Sequence, residues 1–385
     1  MYDFLITTNW GCEETTREEL SNLGFKGEVI SRAKLKVSGR LEDTVLLNLL
    51  PRQVNRVHLM LVMEEVESLE DIYRVCRSID YSQYIQPQQT FGVRGVRHGM
   101  HEFTSVDIGA KVGEAIIDSY REETGTRLKV NLGDPDVQFY AFLNENRFIL
   151  GINTSGESLH KRYPRPYQHH APLKTTIAAS MLWMSGVRWG LREELFSKIP
   201  YSVFLDPMAG GGTIPIELRL IEMGSVSGRF RTDYAYHRFS FLDWEGVEQE
   251  VFSRESGNTP STTVIGADIS PKNVEGMRVN SEVLEVSFDR VIGDARRLDY
   301  LDRYPEVDVV VTNPPYGLRI ASKRVITDLY RQFGRAVSEH SIPLVVILTA
   351  EGRLMRESLM DNGYKIQFSN IMYGNLPTEL IIGRL

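Results

Sequence analysis

Cysteine is scarce in this chain: two residues, Cys12 and Cys76, in 385, with no C-x-x-C pair. That spacing excludes a disulfide framework and a zinc ribbon, and leaves two small buried hydrophobes as the expectation. Long apolar runs are missing too; the best, Ile342 to Leu348, is strand-sized, far below the roughly 18 residues of a membrane span. The opening M-Y-D-F-L meets Glu13 and Glu14 without a basic stretch, so no cleaved leader is expected and the expected compartment is the cytoplasm. A positive excess is also absent. The net charge is −7, with 17 basic and 24 acidic residues in 1–160 and 27 of each in 161–385, so any polyanion site is a local patch rather than a global field.

At roughly 150 residues per domain, the length suggests two or three domains of ordinary soluble composition. Residues 1–65 read as a small α+β unit: a strand at Phe4–Thr7, an acidic-started helix at Glu13–Leu23, a hairpin around Val29–Val37 and a helix from Thr44. In 66–160, Ser68–Ile79 and Ser105–Tyr120 have helical spacing, F-G-V-R-G-V-R alternates from Phe91, and Val137–Ile152 turns over at Asn144-Glu145-Asn146. Arg94 falls on the opposite side of its strand from Phe91 and Val93, with Arg97, His98 and His101 following, a pattern that suits a nucleic-acid face as well as a solvated one. Residues 161–200 are a linker with one helix: H-K-R-Y-P-R-P-Y-Q-H-H-A-P-L-K has no period, and T-T-I-A-A-S-M-L-W-M does.

From 201 the pattern becomes strands alternating with helices, which predicts an α/β unit with a parallel sheet covered on both faces. The last two strands are joined by G-N-L-P, too short for a crossover, and should pair antiparallel. In such sheets ligands sit beyond the carboxyl ends of the strands, where four motifs fall. Asp206-Pro207-Met208-Ala209-Gly210-Gly211-Gly212-Thr213 is a glycine loop before a helix; Gly210 and Gly212 fit a dinucleotide fingerprint, but the third glycine position is Pro215 and no G-K-[ST] follows. Asp268, with Ile269 after it, can accept two ribose hydroxyls, and Asp294, before Ala295, can accept from an adenine amino group. Asn313-Pro314-Pro315-Tyr316 ends the V-V-V-T strand; two prolines make a rigid turn, and the tetrapeptide arises by chance in about 1 chain in 1,000.

Together these motifs resemble the class I S-adenosylmethionine-dependent methyltransferases that carry an N-terminal THUMP RNA-binding domain. The likeness covers nearly the whole chain: D-P-x-x-G-x-G-T at Asp206–Thr213, F-T-S-V-D-I-G-A-K-V-G-E-A-I from Phe103, V-x-L-x-x-P-D at Val130–Asp136, and L-G-I-N-T-S-G-E-S-L-H-K-R from Leu150. The family usually continues K-R-G-Y-R; here it is K-R-Y-P-R, with Ala171-Pro172-Leu173 intact. The resemblance implies a Rossmann-like sheet of seven strands behind ferredoxin-like and THUMP domains, and S-adenosylmethionine as cofactor. It further implies Asp206, Ala209, Gly210, Gly211, Gly212, Thr213, Asp268, Ile269, Asp294, Ala295 and Asn313 as cofactor contacts. Asn313, Pro314 and Tyr316 are the catalytic set it implies, methylating an exocyclic nitrogen with no metal. A tRNA is the implied partner, with position 6 of the acceptor stem as first reading and guanosine 10 or ribosomal RNA as alternatives. Arg319, Lys323, Arg324, Arg331 and Arg335 could bind its phosphates. The S-G-G-x-D-S and P-C-x-x-C signatures of other THUMP enzymes are absent.

Overall fold

A computed structural model of the protein describes residues 1–169, 172–191, 195–316 and 323–385. Ala171 and Arg319, named above, lie outside the described residues, as do His170, Gly317 and Leu318. The chain opens with β1 (Tyr2–Thr7), α1 (Glu13–Asn22), β2 (Gly27–Ser31), β3 (Lys34–Gly39), α2 (Asp43–Leu49) and β4 (Arg56–Glu65). It continues with α3 (Leu69–Arg77), β5 (Thr90–His98), α4 (Ser105–Thr124), β6 (Lys129–Val130), β7 (Val137–Asn144) and β8 (Arg147–Asn153). Ser68 and Asp71 close a capping box at the start of α3, and Thr104 with Asp107 does the same for α4, so two orphan amides at each start are satisfied locally.

The two units that read separately in the sequence share one eight-stranded sheet, ordered β2-β3-β1-β4-β8-β7-β5-β6. Their junction is the antiparallel pairing of β4 with β8, which begins at His58 opposite Asn153. Pairing over that distance leaves no mark in local sequence. Alternate residues of these strands, among them Phe4, Leu59, Phe139 and Phe148, pack with Leu20, Leu47, Ile72 and Val112 of the helices into one core.

α5 (Thr175–Ser185) is apolar nearly all round and is buried against the second sheet, beside α1. After it comes a short antiparallel ribbon, β9 (Arg188–Leu191) with β10 (Leu195–Lys198), that the linker reading lacks; strands of four residues carry too little alternation to be seen. Then follow β11 (Val203–Asp206), α6 (Thr213–Glu222), α7 (Glu245–Ser253), β12 (Thr263–Asp268), α8 (Pro271–Glu282), β13 (Asp289–Ile292) and β14 (Val309–Thr312). α9 (Lys323–Glu339), β15 (Leu344–Thr349), α10 (Gly352–Asp361), β16 (Lys365–Tyr373) and β17 (Leu376–Arg384) complete the chain.

The second sheet has seven strands in the order β13-β12-β11-β14-β15-β17-β16, parallel except for β17, which pairs antiparallel with β15 and with β16. This is the class I methyltransferase arrangement expected above. The chain runs outward from β11 to β13 and then restarts at β14 on β11's other side, so the strand order reverses between β11 and β14. A crevice opens at such a switch point. No described helix is long and apolar enough to cross a membrane. Cys12 and Cys76 are both buried, and burial raises each thiol to about 12.

Candidate active site

The carboxyl ends of β11 and β14 meet at the switch point. Asp206, the last residue of β11, is 1% exposed and accepts the Thr312 hydroxyl (2.7 Å) and the Met208 amide (3.3 Å). Burial outweighs those two donors and pushes its carboxyl up to about 7. The loop that follows turns tightly: Gly210 has φ +54° and Gly212, at the N-cap of α6, φ +82°. Only glycine takes such angles without strain, so the backbone can lie close to a ligand. Gly212 N–H bonds the Ala209 carbonyl, and Ala209 N–H bonds the carbonyl of Ala267 on β12, pinning the loop to the sheet.

Asp268 ends β12 nearly buried, with its carboxylate oriented by three donors: the Gly210 amide on Oδ2 (3.0 Å), and the Ser270 amide (2.9 Å) and Asn273 Nδ2 (3.0 Å) on Oδ1. A carboxylate has about four lone-pair sites, so acceptor capacity is left for a ribose diol. Ile269 beside it is 62% exposed, an apolar surface at the strand ends, and Ala295 is buried. Asp294 is differently placed. The Arg296 guanidinium forks onto both its oxygens at 2.6 to 3.0 Å and holds its carboxyl below the usual range. The structure thus commits this acceptor to an internal ion pair two residues away.

Asn313 follows Thr312. Its side-chain Oδ1 is buried and has no hydrogen-bond partner among the described residues, an arrangement that is costly unless something arrives to donate. Pro314 is buried, and the Pro315 carbonyl is held by the Tyr330 hydroxyl (3.1 Å) from α9, which also pairs with Thr349 Oγ1 (2.7 Å). Tyr316 is half-buried, and desolvation lifts its phenol well above the ordinary tyrosine range.

A cleft of about 480 Å³, continuous with solvent, joins Asp206, Met208 to Gly211, Thr213 and Asn313. Its far wall is the segment before α5: Arg165, Tyr167, His169, Pro172 and Leu173. Sequence reasoning passed over these as linker. Tyr167 is latched in place, its amide to Asn280 Oδ1 (2.9 Å), its carbonyl to Asn280 Nδ2 (3.0 Å) and its hydroxyl to Asn273 Oδ1 (2.7 Å). Asn280 Nδ2 also reaches the Gly211 carbonyl, and Asn273 the Asp268 carboxylate. The only hint in the sequence was a stretch too rich in tyrosine, histidine and proline for a plain spacer. Asp268 and Asp294 lie outside this cleft wall, on neighbouring strand ends.

Of the basic residues after the Asn313–Tyr316 turn, Lys323, Arg324 and Arg331 are exposed on α9, and Arg335 is paired with Glu339 at 2.7 Å.

Comparison with known proteins adds to this geometry. Residues 162–380 match the RMKL-like methyltransferase domain family, and residues 66–153 match the THUMP domain. A tRNA (guanine(6)-N2)-methyltransferase of Methanocaldococcus jannaschii is 34% identical over 98% of each chain. One of Archaeoglobus fulgidus with the same name is 33% identical over 98% of this chain and 91% of its own. Among solved structures, SMU.472, complexed with SAH, superposes with a TM-score of 0.83 at 21% identity, covering 99% of this chain and 97% of that one; at that identity the likeness speaks for the fold.

Proposed function

The chain belongs to the RMKL-like methyltransferase family, preceded by a THUMP domain, and from that premise we propose that it methylates the exocyclic N2 of a guanosine in tRNA, at position 6 of the acceptor stem. The observation that carries the reading is the buried Asn313 Oδ1 at the switch-point cleft, unpartnered among the described residues. The two relatives' names support the nucleotide.

The residues present fit S-adenosylmethionine. Asp268 would hold its ribose hydroxyls, and the Gly210–Gly212 backbone, Ile269 and Ala295 would supply the remaining contacts. Asp294 would join this set only by giving up part of its Arg296 contact to the adenine amino group. When bound, the cofactor supplies a methyl group on a positively charged sulfur, an electrophile that needs no metal.

The protein's own task is to present the nucleophile. A guanine amino nitrogen is weak because its lone pair is delocalised into the ring. Asn313 Oδ1 and the Pro314 carbonyl accept its two N–H bonds, which fixes the nitrogen and turns its lone pair toward the cofactor. The proline pair keeps that carbonyl rigid, and the Tyr330 contact with Pro315 holds the turn from behind. Tyr316 stacks on the extruded base, compensating its unstacking. The nitrogen–methyl bond would form as the cofactor's sulfur–methyl bond breaks, with the proton lost by the amino group passing to solvent and no covalent enzyme intermediate.

We assign RNA holding to residues 1–65 and 66–160, the connection to 161–200 and the chemistry to 201–385. The test is mass mapping of unmodified tRNA transcripts after incubation with labelled S-adenosylmethionine. One N2-methylguanosine at position 6 is expected; a methyl at guanosine 10, in ribosomal RNA alone, or on adenine overturns the assignment.

A further inference from the structure

Helices α1 to α4 pack on one face of the eight-stranded sheet, and the other face carries a separate set of side chains. On the second face Leu5, Met60, Phe142 and Ile149 form only a small apolar cluster. Next to it lies an unbalanced group of cations. Thr7 of β1 stands opposite Lys34 on one neighbour and opposite Arg56 on the other, so these two basic residues flank one row of the sheet. Arg94 of β5 stands opposite Tyr140 of β7.

The His58 ring stacks on Tyr140 with centroids 4.3 Å apart and planes 17° from parallel. The contact crosses Gly151, the residue directly opposite Tyr140, where a Cβ would come within 2.9 Å of the Leu59 carbonyl.

Three features of this group do not serve the fold. Both ring nitrogens of His58 are buried and neither has a hydrogen-bond partner among the described residues. Lys34 is 7% exposed, yet no carboxylate pairs with it among the described residues; its ammonium lies 3.9 Å from the Phe142 ring centre, which positions it without neutralising it. Arg56 spends one donor on the Gly156 carbonyl and, like Arg94, has no ion pair among the described residues. Elsewhere buried arginines of this chain are matched with acids, as Arg52 with Glu217 and Arg219 with Glu222. The nearest acid to bear on Arg56, Glu157, is already paired with Lys161. Burial drives the Lys34 ammonium down to about 8 and, with the charges of Arg56, Lys34 and Arg94, the His58 imidazole to about 3. An assembly of like charges with unsatisfied donors is stabilised by an anion.

We propose that Lys34, Arg56 and Arg94, gathered about the His58–Tyr140 stack, form a phosphate site that seats the backbone of the substrate RNA on the sheet face away from α1 to α4. The inference rests on the RNA reading above and deepens it by naming where the strand is held. The site faces the catalytic side: Arg56 acts electrostatically on Lys174, whose ammonium lies 6.0 Å from the Tyr373 ring, and the Tyr373 hydroxyl donates to the Pro172 carbonyl in the cleft wall. A strand leaving the phosphate site toward Lys174 reaches the cleft.

The experiment is RNA binding by full-length protein as a function of salt, for the wild type, Lys34→Ala and Arg94→Ala, with cofactor affinity and thermal midpoint measured alongside. Each variant should weaken tRNA about 5- to 20-fold and lower the slope of log K against log salt by about 0.7 to 0.9, one phosphate contact. Cofactor affinity stays as in wild type, and the midpoint of Lys34→Ala is equal or higher, since an unpaired buried ammonium opposes folding. Wild-type slope and affinity in both variants, with the wild type binding tRNA, overturn the site and leave the RNA reading standing. A wild type that binds cofactor and no RNA overturns both. If millimolar inorganic phosphate raises the midpoint of the wild type and not of Lys34→Ala while the RNA slope is unchanged, the site holds a free anion and the RNA assignment fails.

Discussion

The Thr312 hydroxyl donates to Asp206 Oδ1 at 2.7 Å, tying the strand end that precedes the Asn313–Tyr316 turn to the strand end that precedes the glycine loop. Both residues are buried, so this bond sets the spacing between the half of the site assigned to the cofactor and the half assigned to the base. Thr312→Val keeps the shape and removes the donor. We expect a loss of about 1–3 kcal/mol in urea unfolding and a weaker cofactor affinity, with RNA affinity unchanged.

Asp206 makes stability depend on pH in a definite direction. Its carboxyl is raised in the folded chain, from 3.8 to about 7, chiefly by burial. The folded state therefore holds the proton more tightly than the unfolded one; the contribution is fully present below about pH 4 and lost as pH rises through about 7. Asp206→Asn has no such proton to lose. Relative to wild type it should gain roughly 2–4 kcal/mol between pH 5 and pH 8, which chemical unfolding at the two pH values reads directly.

Behind the site, Glu217 of α6 is fully buried between Arg52 of the N-terminal part (3.3 Å) and Arg162 of the connecting segment (3.7 Å), and Arg162 also donates to the Arg52 carbonyl. Glu217→Gln leaves two guanidiniums buried without their acid. Unfolding free energy should fall by about 3–5 kcal/mol, whereas breaking a solvent-screened surface pair such as Arg353–Glu357 should leave it nearly unchanged.

Tyr167 tests the wall that joins the two halves of the chain. Tyr167→Phe removes the hydroxyl that orients Asn273 and, through it, Asp268. The expected result in steady-state kinetics is a KM for cofactor raised about 5- to 10-fold with kcat within twofold, the signature of lost ground-state orientation. An unchanged KM would mean the latch is structural only.

How much of this was legible beforehand follows from how local each feature is. The glycine loop, the aspartates at successive strand ends and the N-P-P-Y turn are short motifs whose residue types state their geometry, and all fall at the carboxyl ends of β11 to β14. The antiparallel end of the second sheet followed from a loop too short to cross over. What escaped depends on contacts between residues far apart: the β4–β8 seam that merges the first two units, and Tyr167 resting on Asn273 and Asn280 more than a hundred residues later. The Arg296 fork on Asp294 is an exception, since D-A-R puts the partner two positions on; the guanidinium was visible in the sequence and its reach was not considered.

The central claim is that Asn313 holds the amino group. Single-turnover methyl transfer to tRNA by Asn313→Ala measures it, with cofactor and tRNA dissociation constants determined on the same protein. The account predicts a rate reduced at least about 10²- to 10³-fold, the usual loss for a preorganised polar contact to the reacting group, with both dissociation constants within about threefold of wild type. A rate within tenfold of wild type, or a loss explained by weakened binding, would contradict it.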